Sequence, residues 1–557
     1  NDFSGCKIHS MPKMYQHILA LAFAVKEINK NPKLLPNITL GFHIINGYYI
    51  AKMTYKATLN LLCAQQRFVP NFICDSQKEL ICSILFQLTY GSFSPAHGDK
   101  TAFPFLYQMV PNEDYQFRGV LQLLHHFGWM WVGLLAVDDD YGDRFLKAIM
   151  PLLTQNSICY AFILRLPKRS YVDEYLDFMI DQVDNYRVLM ERKANACFVY
   201  GEPPSWQDLR MLLFYVPFFS LPPLGKVWIA TSQWDFESLS VQQLWDIQHF
   251  HGALTFTVHS NEPLGFQKFI HSIKPSWTIR DGFIQNFWEQ AFLCSLKNSN
   301  VNVGNTKFCT AEEKLDSLPH TFFEMKMIGH SYNIYNAVYA VGHALHAIYK
   351  SKFGHKRFQE GGRFHHSLKN ILFNNSAGDN VRFDENRELV TGFDLTNWVT
   401  FSNNSFVRVN VGRLEPQAPP CKQLTISDDL IEWHRRSRQK PSGQCHFVLP
   451  LSVCNDNCYP GFSRKKKEGE KFCCYDCAPC PEGMISGQKD MDACMKCLAD
   501  KYPNKDQNQC IPRILSYLSY KEPLGIFATR VPFMYLCMCV HICIMLQVGG
   551  VSVCMIL

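Results

Sequence analysis

Helix-period and strand-like hydrophobic patterns alternate along the first four hundred residues. Apolar side chains recur every three or four residues in 14–29, which predicts an amphipathic helix, and the apolar run 39–45 follows as a predicted strand. The same pairing of strand and helix then repeats. Further predicted strands are 130–137, 158–164, 196–200 and 227–231, and further predicted helices begin at Gly142 or cover 171–183 and 206–215. This repetition predicts an α/β fold with a mainly parallel sheet.

The last 27 residues, 531–557, contain no Asp, Glu, Lys or Arg. An apolar segment of this length can span a bilayer, so it is a candidate transmembrane segment, with an out-of-frame tail as the alternative. At the other end, Asn1-Asp2-Phe3 shows neither an initiator Met nor the pattern of a signal peptide. We therefore expect a processed or incomplete N-terminus.

Composition narrows the class of protein. The chain has 557 residues, with 55 Lys+Arg against 49 Asp+Glu and a formal net charge of +6. Such a length predicts two or three domains, and so weak a charge, concentrated on no helix or stripe, argues against a nucleic-acid partner. The hydrophobic and charged fractions, 47% and 19%, are those of a folding sequence.

The 23 cysteines divide the chain into three regions, with nine before residue 445, ten in Cys445–Cys510 and four in the terminal apolar run. The middle block predicts a small domain held by cross-links, either disulfides or zinc bound by paired cysteines. Sequons at Asn37, Asn374 and Asn403 favour an oxidising secretory compartment, hence disulfides and glycosylation. No metal site is predicted.

The acidic turn 138–143 follows a predicted strand and opens a helix, which is where α/β proteins bind ligands. Its consecutive Asp residues do not match a calcium loop, so we interpret it as a helix-capping turn with a second role in binding. The histidines at 343, 346, 365 and 366 lack a matching metal-ligand offset and are interpreted as structural or surface residues. No nucleophile elbow, phosphate loop or zinc-protease motif is present, so neither an enzyme nor a cofactor is predicted.

Nine cysteines follow a distinctive spacing, C-x3-C-x14-CC-x2-C-x2-C-x13-C-x2-C-x12-C from Cys454 to Cys510. This spacing resembles the nine-cysteine domain of class C G-protein-coupled receptors. Further stretches resemble the extracellular module of these receptors. Their sequences are most similar to those of the vomeronasal type-2 receptors and less similar to that of the calcium-sensing receptor. These stretches are 19–29, 35–42, 87–93, 138–142, 282–290 and 332–341.

The resemblance covers roughly residues 13–525 and implies a bilobed Venus-flytrap domain, similar to periplasmic binding proteins, that closes on a ligand. The implied domains are a ligand-binding domain at 1–420, a linker at 421–453, the nine-cysteine domain at 454–510, a juxtamembrane segment at 511–530 and the candidate transmembrane segment at 531–557.

The resemblance also implies disulfide pairs. These are Cys454–Cys474, Cys458–Cys477, Cys480–Cys494, Cys497–Cys510, the inter-domain Cys159–Cys473, and Cys294–Cys309 within the flytrap. Partners are not assigned for Cys6, Cys63, Cys74, Cys82, Cys197, Cys421 and Cys445.

Relatives that bind amino acids use positions that correspond here to Ser92, Phe93, Glu113, Tyr141 and Ser232. Glu113 and Tyr141 keep that chemistry, whereas Phe93 replaces a hydroxyl and Ser232 replaces an acid. Each replacement removes a charge-assisted bond of about 1.5–3 kcal/mol, so a free amino acid should bind poorly. A larger peptide surface, contacted by Tyr141, Trp234 and Phe93, is expected instead, with packing in the core as the alternative for each.

The resemblance implies a chemosensory receptor for peptide or protein chemosignals, dimeric, in the cell membrane with its ligand-binding part extracellular. Two departures qualify this. A strand and helix of roughly 20–30 residues is missing between Cys74 and Gln87, and the resemblance ends after Gly525, before the seven helices that contact a G protein. The alternatives are therefore a non-signalling binding module or decoy, retained or tethered at a membrane, and an inert product of gene decay.

Overall fold

The structure, a computed structural model, describes the chain in segments. The described residues are 12–44, 87–91, 93, 105–167, 185, 187–189, 194–215, 225–234, 246–276, 281–296, 308–310, 312–352, 360–403, 405–419, 422–434, 449–514, 519, 521–523, 546–548 and 551–553. The chain divides into two compact units, residues 1–453 and residues 454–557. Each unit is described by itself.

The first unit contains helices and strands in alternation. Its helices are α1 (Tyr15–Lys30), α2 (Glu113–His126), α3 (Asp140–Gln155), α4 (Pro203–Tyr215), α5 (Phe266–His271), α6 (Ile284–Phe292), α7 (Gly329–Lys352) and α8 (Glu360–Lys369). Its strands are β1 (Gln87–Thr89), β2 (Leu106–Gln108), β3 (Trp131–Val137), β4 (Cys159–Leu166), β5 (Ala196–Tyr200), β6 (Val227–Ala230), β7 (Ala253–Val258), β8 (Leu372–Asn374), β9 (Asn380–Arg382), β10 (Phe393–Thr400), β11 (Phe406–Leu414) and β12 (Leu424–Ile426).

Eight of these strands form one sheet in the order β12-β11-β10-β7-β6-β5-β3-β4. The neighbours from β7 to β4 pair in parallel, whereas β7–β10, β10–β11 and β11–β12 pair antiparallel. The predicted α/β fold is confirmed, but the sheet is mixed at one edge. The connection from β10 to β11 is too short for the crossover that a parallel pair requires.

The described residues of the first unit form two separate hydrophobic cores. The core of lobe 1 is built mainly by α1, α5, α6 and α7, with Tyr107 and Met109 among its buried members. The core of lobe 2 is built around the eight-stranded sheet, with α2 and α3 packed against it and Val110 among its members. The first unit is therefore bilobed, as the resemblance implies.

Within the described residues, three short segments connect the two cores, 109–110, 258–266 and 389–393, because residues at either end of each belong to different cores. Phe93, between β1 and β2, also reaches the lobe 2 core. Three side-by-side crossings between two lobes are the arrangement of a hinge.

Backbone hydrogen bonds join these crossings. The His259 N–H donates to the Gly392 carbonyl at 3.3 Å, and the Leu389 N–H donates to the Gln108 carbonyl at 2.8 Å. The third crossing is thus bonded to each of the other two, and the hinge is a connected strip of backbone.

The helix predicted at 14–29 is confirmed as α1. The strand predicted at 39–45 is wrong for residues 39–44, which carry no strand. The Leu40 backbone pairs instead with the Asn29 side chain, at 2.8 Å to Oδ1 and 2.9 Å to Nδ2. The helix predicted at 171–183 and the region proposed to lack a strand and helix, between Cys74 and Gln87, lie outside the described residues.

Where the structure describes it, the second unit forms short antiparallel hairpins. Its strands are β13 (Phe462–Lys466), β14 (Tyr475–Pro479), β15 (Met484–Ile485), β16 (Met495–Lys496), β17 (Lys501–Pro503), β18 (Cys510–Pro512), β19 (Leu546–Val548) and β20 (Val551–Val553). Disulfides close its loops, and these four pairs are the ones that the resemblance implies: Cys454–Cys474, Cys458–Cys477, Cys480–Cys494 and Cys497–Cys510.

The first unit contains the expected Cys294–Cys309 disulfide. Cys159 and Cys473 are each disulfide-bonded, and the pairing between them stays a prediction. Cys197 is a buried free thiol. The other unassigned cysteines, 6, 63, 74, 82, 421 and 445, lie outside the described residues.

Within the apolar segment 531–557, the described residues form the antiparallel pair of β19 and β20. Over the part of the chain that the structure describes, no helix combines the length and apolar character needed to cross a membrane.

Candidate ligand-binding site

Glu113 lies at the start of α2, whose first turn is capped by the Asn112 side chain accepting the Asp114 N–H at 3.0 Å. The Glu113 carboxylate accepts a hydrogen bond from the Tyr200 hydroxyl at 2.8 Å and another from the Gln233 side-chain amide. Burial raises the pKa of Glu113 to about 7, against the lowering effect of these two bonds. The site thus holds a carboxyl that titrates near neutral pH.

Ser232 follows β6 in lobe 2 and is 4% exposed. Its N–H donates to the Gln116 side-chain oxygen at 2.7 Å, and its carbonyl lies 3.2 Å from His330 Nε2. The other ring nitrogen of His330, Nδ1, lies 3.3 Å from the Tyr90 carbonyl in lobe 1. His330 therefore lies between backbone carbonyls of the two lobes, next to the hinge.

Tyr141 lies in the first turn of α3 and is 39% exposed. Asp139 caps this helix by accepting the N–H groups of Tyr141 and Gly142, so the interpretation of 138–143 as a helix-capping turn is confirmed. The Arg144 guanidinium lies 4.5 Å from the centre of the Tyr141 ring. An exposed ring with a cation on one face offers its other surface for stacking, in the first turn of the helix that follows β3.

Phe93 and Trp234 are buried, at 8% and 2% exposure. Phe93 belongs to the lobe 2 core, where its ring centre lies 6.4 Å from that of Phe393. Trp234 packs edge-on against Trp206 at 4.7 Å. Both proposed peptide-contacting aromatics therefore pack into lobe 2 in this structure, and Ser92 lies outside the described residues.

A cavity of about 620 Å³ lies beside the crossings. We call it the hinge cavity and define it by six wall residues: Ser232, Trp234, Glu262, Glu324, Lys326 and His330. Its volume is within the range of small-molecule sites, about 300–1,000 Å³. Ser232 and Trp234 bring two sequence-predicted residues to one wall, whereas Glu113 and Tyr141 are not part of its lining.

The histidines interpreted as structural have packing or hydrogen-bonding roles. The His343 ring stacks on Phe373 at 4.4 Å, His346 Nδ1 accepts the Leu35 N–H at 3.2 Å, and His365 Nδ1 lies 2.9 Å from the Tyr107 hydroxyl. Among the described residues, no three His, Cys, Asp or Glu side chains are arranged to hold a metal ion.

Sequence reasoning missed four residues that shape the site: Gln116, Tyr200, Gln233 and His330. Tyr200 ends a predicted strand and Gln233 follows the predicted strand 227–231 closely. Because ligands sit at the carboxyl ends of parallel strands, both positions could have been proposed from the sequence. No signal pointed to His330, since its partners come from distant parts of the chain.

Family models match both parts of the chain. Residues 18–400 match the "Receptor family ligand binding region", and residues 449–503 match the "Nine Cysteines Domain of family 3 GPCR". The first match alone covers more than half of the chain.

Named relatives are similar over most of this chain. Vomeronasal type-2 receptor 26 of Mus musculus is 30% identical over 541 residues, 92% of this chain and 61% of the relative. Vomeronasal type-2 receptor 116 of Mus musculus is 29% identical, with 93% and 61% covered. The extracellular calcium-sensing receptor of Homo sapiens is 27% identical, with 92% and 51% covered.

The chain thus spans between half and about three fifths of the length of these relatives. Both family matches agree with the structure. The first unit has two lobes joined by a three-segment hinge, and disulfides close the loops of the second unit. The chain belongs to the class C G-protein-coupled receptors, of which it comprises the extracellular ligand-binding region and the nine-cysteine domain.

Proposed function

We propose that this chain is the ligand-binding part of a chemosensory receptor and that a peptide or protein ligand closes its two lobes. The observation that carries the proposal is the position of His330, whose ring nitrogens face the carbonyls of Tyr90 in lobe 1 and Ser232 in lobe 2. Tyr90 follows Thr89, which accepts the Met109 N–H of the first crossing, and His330 follows Gly329, which lies beside Val258 of the second, so these contacts form the base of the cleft on which the lobes close. A ligand that stabilises the closed arrangement would shift the population of the two states.

The chemistry of the site favours a ligand larger than an amino acid. The buried carboxyl of Glu113 is already engaged by Tyr200 and Gln233, and Ser232 brings no charge to the opposite position. Tyr141 supplies an exposed aromatic surface for contact with a bulkier ligand. The proposed ligand contacts are therefore Glu113, Tyr141 and Ser232. Phe93 and Trp234 are buried and would contact a ligand only after rearrangement. Ser92 stays a proposed contact and lies outside the described residues.

The proposal also covers the location, the dimer partner and the signalling path of the chain. We place the ligand-binding part outside the cell, anchored in the cell membrane and paired with itself or a related receptor. The conformational change on closure would be transmitted through a Cys159–Cys473 disulfide and the nine-cysteine domain. It would reach a seven-helix region that contacts a G protein. The sequon residues Asn37, Asn374 and Asn403 are all exposed, as glycosylation requires.

Hydrogen–deuterium exchange on the full chain tests the ligand class. The probes are the twenty free amino acids and a library of synthetic nonapeptides, each applied at the same concentration. We expect peptides, and not free amino acids, to slow amide exchange at 87–91 and 231–234 together, since closure buries both faces. His330→Ala should weaken this protection.

Protection by free amino acids alone would reassign the ligand to an amino acid. The absence of joint protection with every probe would contradict the binding of either class in the cleft.

A further inference from the structure

The charges around the hinge cavity are mostly neutralised. The Glu324 carboxylate lies 2.6 Å from Lys13 Nζ and 2.9 Å from the Arg408 guanidinium. Asp394, another lining residue, lies 2.9 Å from His259. These carboxylates already have cationic partners, so a ligand gains little from contacting them.

Glu262 differs from the other described acidic residues of the cavity wall because it forms no salt bridge, although the charge of Lys326, also on the wall, acts on it. One carboxylate oxygen, Oε2, accepts the Met327 N–H at 3.3 Å, while Oε1 is buried and has no hydrogen-bond partner among the described residues. Burial raises the pKa of Glu262, against the lowering effects of the Met327 bond and of Lys326. A buried carboxylate oxygen without a donor is unfavourable, and a ligand that supplies a donor removes that cost.

Two further polar groups on the wall lack partners among the described residues. They are the Ser232 hydroxyl, on a residue 4% exposed, and the Trp234 indole N–H, on a residue 2% exposed. Both groups can donate a hydrogen bond, so they complement an acceptor oxygen. The Glu262 oxygen and these two donors have almost no exposed surface, so a ligand reaches them only after the side chains rotate. The Trp234 nitrogen lies against Gly201, which does not line the cavity, so the Ser232 hydroxyl is the neutral donor of the wall.

We propose that the hinge cavity binds a peptide with a cationic side chain, its ammonium or guanidinium group paired with Glu262 and a carbonyl oxygen accepting from the Ser232 hydroxyl. This assignment rests on the proposed function and names the ligand chemistry of the same cleft. Pairing a charged donor with a buried carboxylate is stronger than a neutral hydrogen bond. A cavity of about 620 Å³ has room for a short peptide segment.

The test uses the full chain and two peptides that differ only in charge, N-acetyl-Gly-Arg-Gly-amide and N-acetyl-Gly-citrulline-Gly-amide. Isothermal titration calorimetry at about pH 8, where carboxylates ionise, gives both dissociation constants. We expect the arginine peptide to bind at least about tenfold more tightly, by the size of a charge-assisted bond.

Glu262→Gln should make the two affinities equal, since the amide keeps an oxygen for the Met327 N–H. Ser232→Ala should weaken both peptides without changing their ratio. Glu468→Gln, an exposed change in the second unit, is the matched control and should behave as the wild type.

Equal wild-type affinities, or no binding of either peptide, would overturn the assignment without using any variant. A tenfold preference that survives Glu262→Gln would also overturn it. None of these results decides the proposed function, which is tested by hydrogen exchange. Slower amide exchange at 87–91 and 231–234 in the presence of other peptides does not require Glu262.

Discussion

His259 and Asp394 form a contact across the hinge, with His259 Nδ1 2.9 Å from the Asp394 carboxylate. The other ring nitrogen lies 3.4 Å from Asp379, a residue next to β9 on the lobe 1 side. Only a doubly protonated ring donates from both nitrogens, so the geometry suits the imidazolium form. His259 thereby joins the second crossing to carboxylates on either side of it.

The contact predicts a pH dependence of stability. Burial lowers the pKa of His259, but the Asp394 bond and charge outweigh it, so the pKa is raised above 6.5. The stabilisation is therefore fully present below about pH 6.5 and is lost as pH rises through the raised pKa. Differential scanning fluorimetry should show a melting temperature that falls over this alkaline window.

His259→Gln should flatten that fall, whereas His271→Gln, which changes an exposed histidine, should leave it unchanged. The groups facing His259 are Asp394, Asp379, Arg413 and Tyr332, and their own variants would shift the window. An unaltered slope in His259→Gln would contradict the prediction.

Glu113 predicts a second pH effect. Burial raises its pKa from 4.5 to about 7, so the folded chain holds a proton there that the unfolded chain has lost, and stability falls as pH rises from 4.5 to 7. Glu113→Gln keeps an oxygen for the Tyr200 hydroxyl without the buried charge. We expect it to be about 1–3 kcal/mol more stable at about pH 8.

Denaturant unfolding of both proteins checks this difference. Asp316→Asn, at an exposed position, serves as the control and should leave the stability at pH 8 unchanged. A destabilised Glu113→Gln at that pH would show that the ionised carboxylate is favourable in the site.

Gly142 is required by the turn from β3 into α3. A Cβ added there would lie 1.9 Å from the Val137 carbonyl oxygen, so Gly142→Ala must open the turn. We expect a loss of about 1–3 kcal/mol of unfolding free energy, the usual cost of overpacking. Gly282→Ala, where no atom lies within 4 Å, should change the stability by less than about 0.5 kcal/mol.

The Cys294–Cys309 disulfide closes a loop of 15 residues. A loop of this length predicts a stabilisation of about 3 kcal/mol through the unfolded state. Replacing both cysteines by Ser should lower the unfolding free energy by about that amount. A double variant as stable as the wild type would mean that the loop is restricted without the cross-link.

Ser452 is fully buried and joins the end of the first unit to the sheet of lobe 2. Its hydroxyl oxygen accepts the N–H groups of Asn195 and Ala196 at 2.9 and 3.0 Å and donates to the Trp131 carbonyl. Ser452→Ala leaves these buried groups unpaired, so we expect a loss of about 1–3 kcal/mol, measured by chemical denaturation. Ser317→Ala, at an exposed position, should have little effect.

The sequence predicted the regular elements wherever the hydrophobic period was continuous. The strand predicted at 196–200 is β5, and the helix at 14–29 is α1 within one residue. It misassigned 39–44, since a side-chain contact from Asn29 to Leu40 leaves no trace in the period. The local hydrophobic pattern indicates which side chains are buried. It does not indicate which distant group hydrogen-bonds to a backbone amide.

The candidate site was likewise predictable only where local sequence determines the position of a residue. Glu113 and Tyr141 were placed by resemblance and lie at helix starts, where local sequence also points. His330 and Glu262 acquire their roles only from tertiary contacts with Tyr90, Ser232 and Met327. Such contacts join residues far apart in the chain, so no window of sequence contains them.

Three bonded crossings also limit how the lobes can move. A single connection would allow one lobe to swing and twist freely about the other, whereas three connections bonded in one strip favour rotation about that strip. The angle between the lobes is then the main variable that describes the cleft. A single pair of spectroscopic labels, one on each lobe, is enough to measure occupancy by any ligand that closes it.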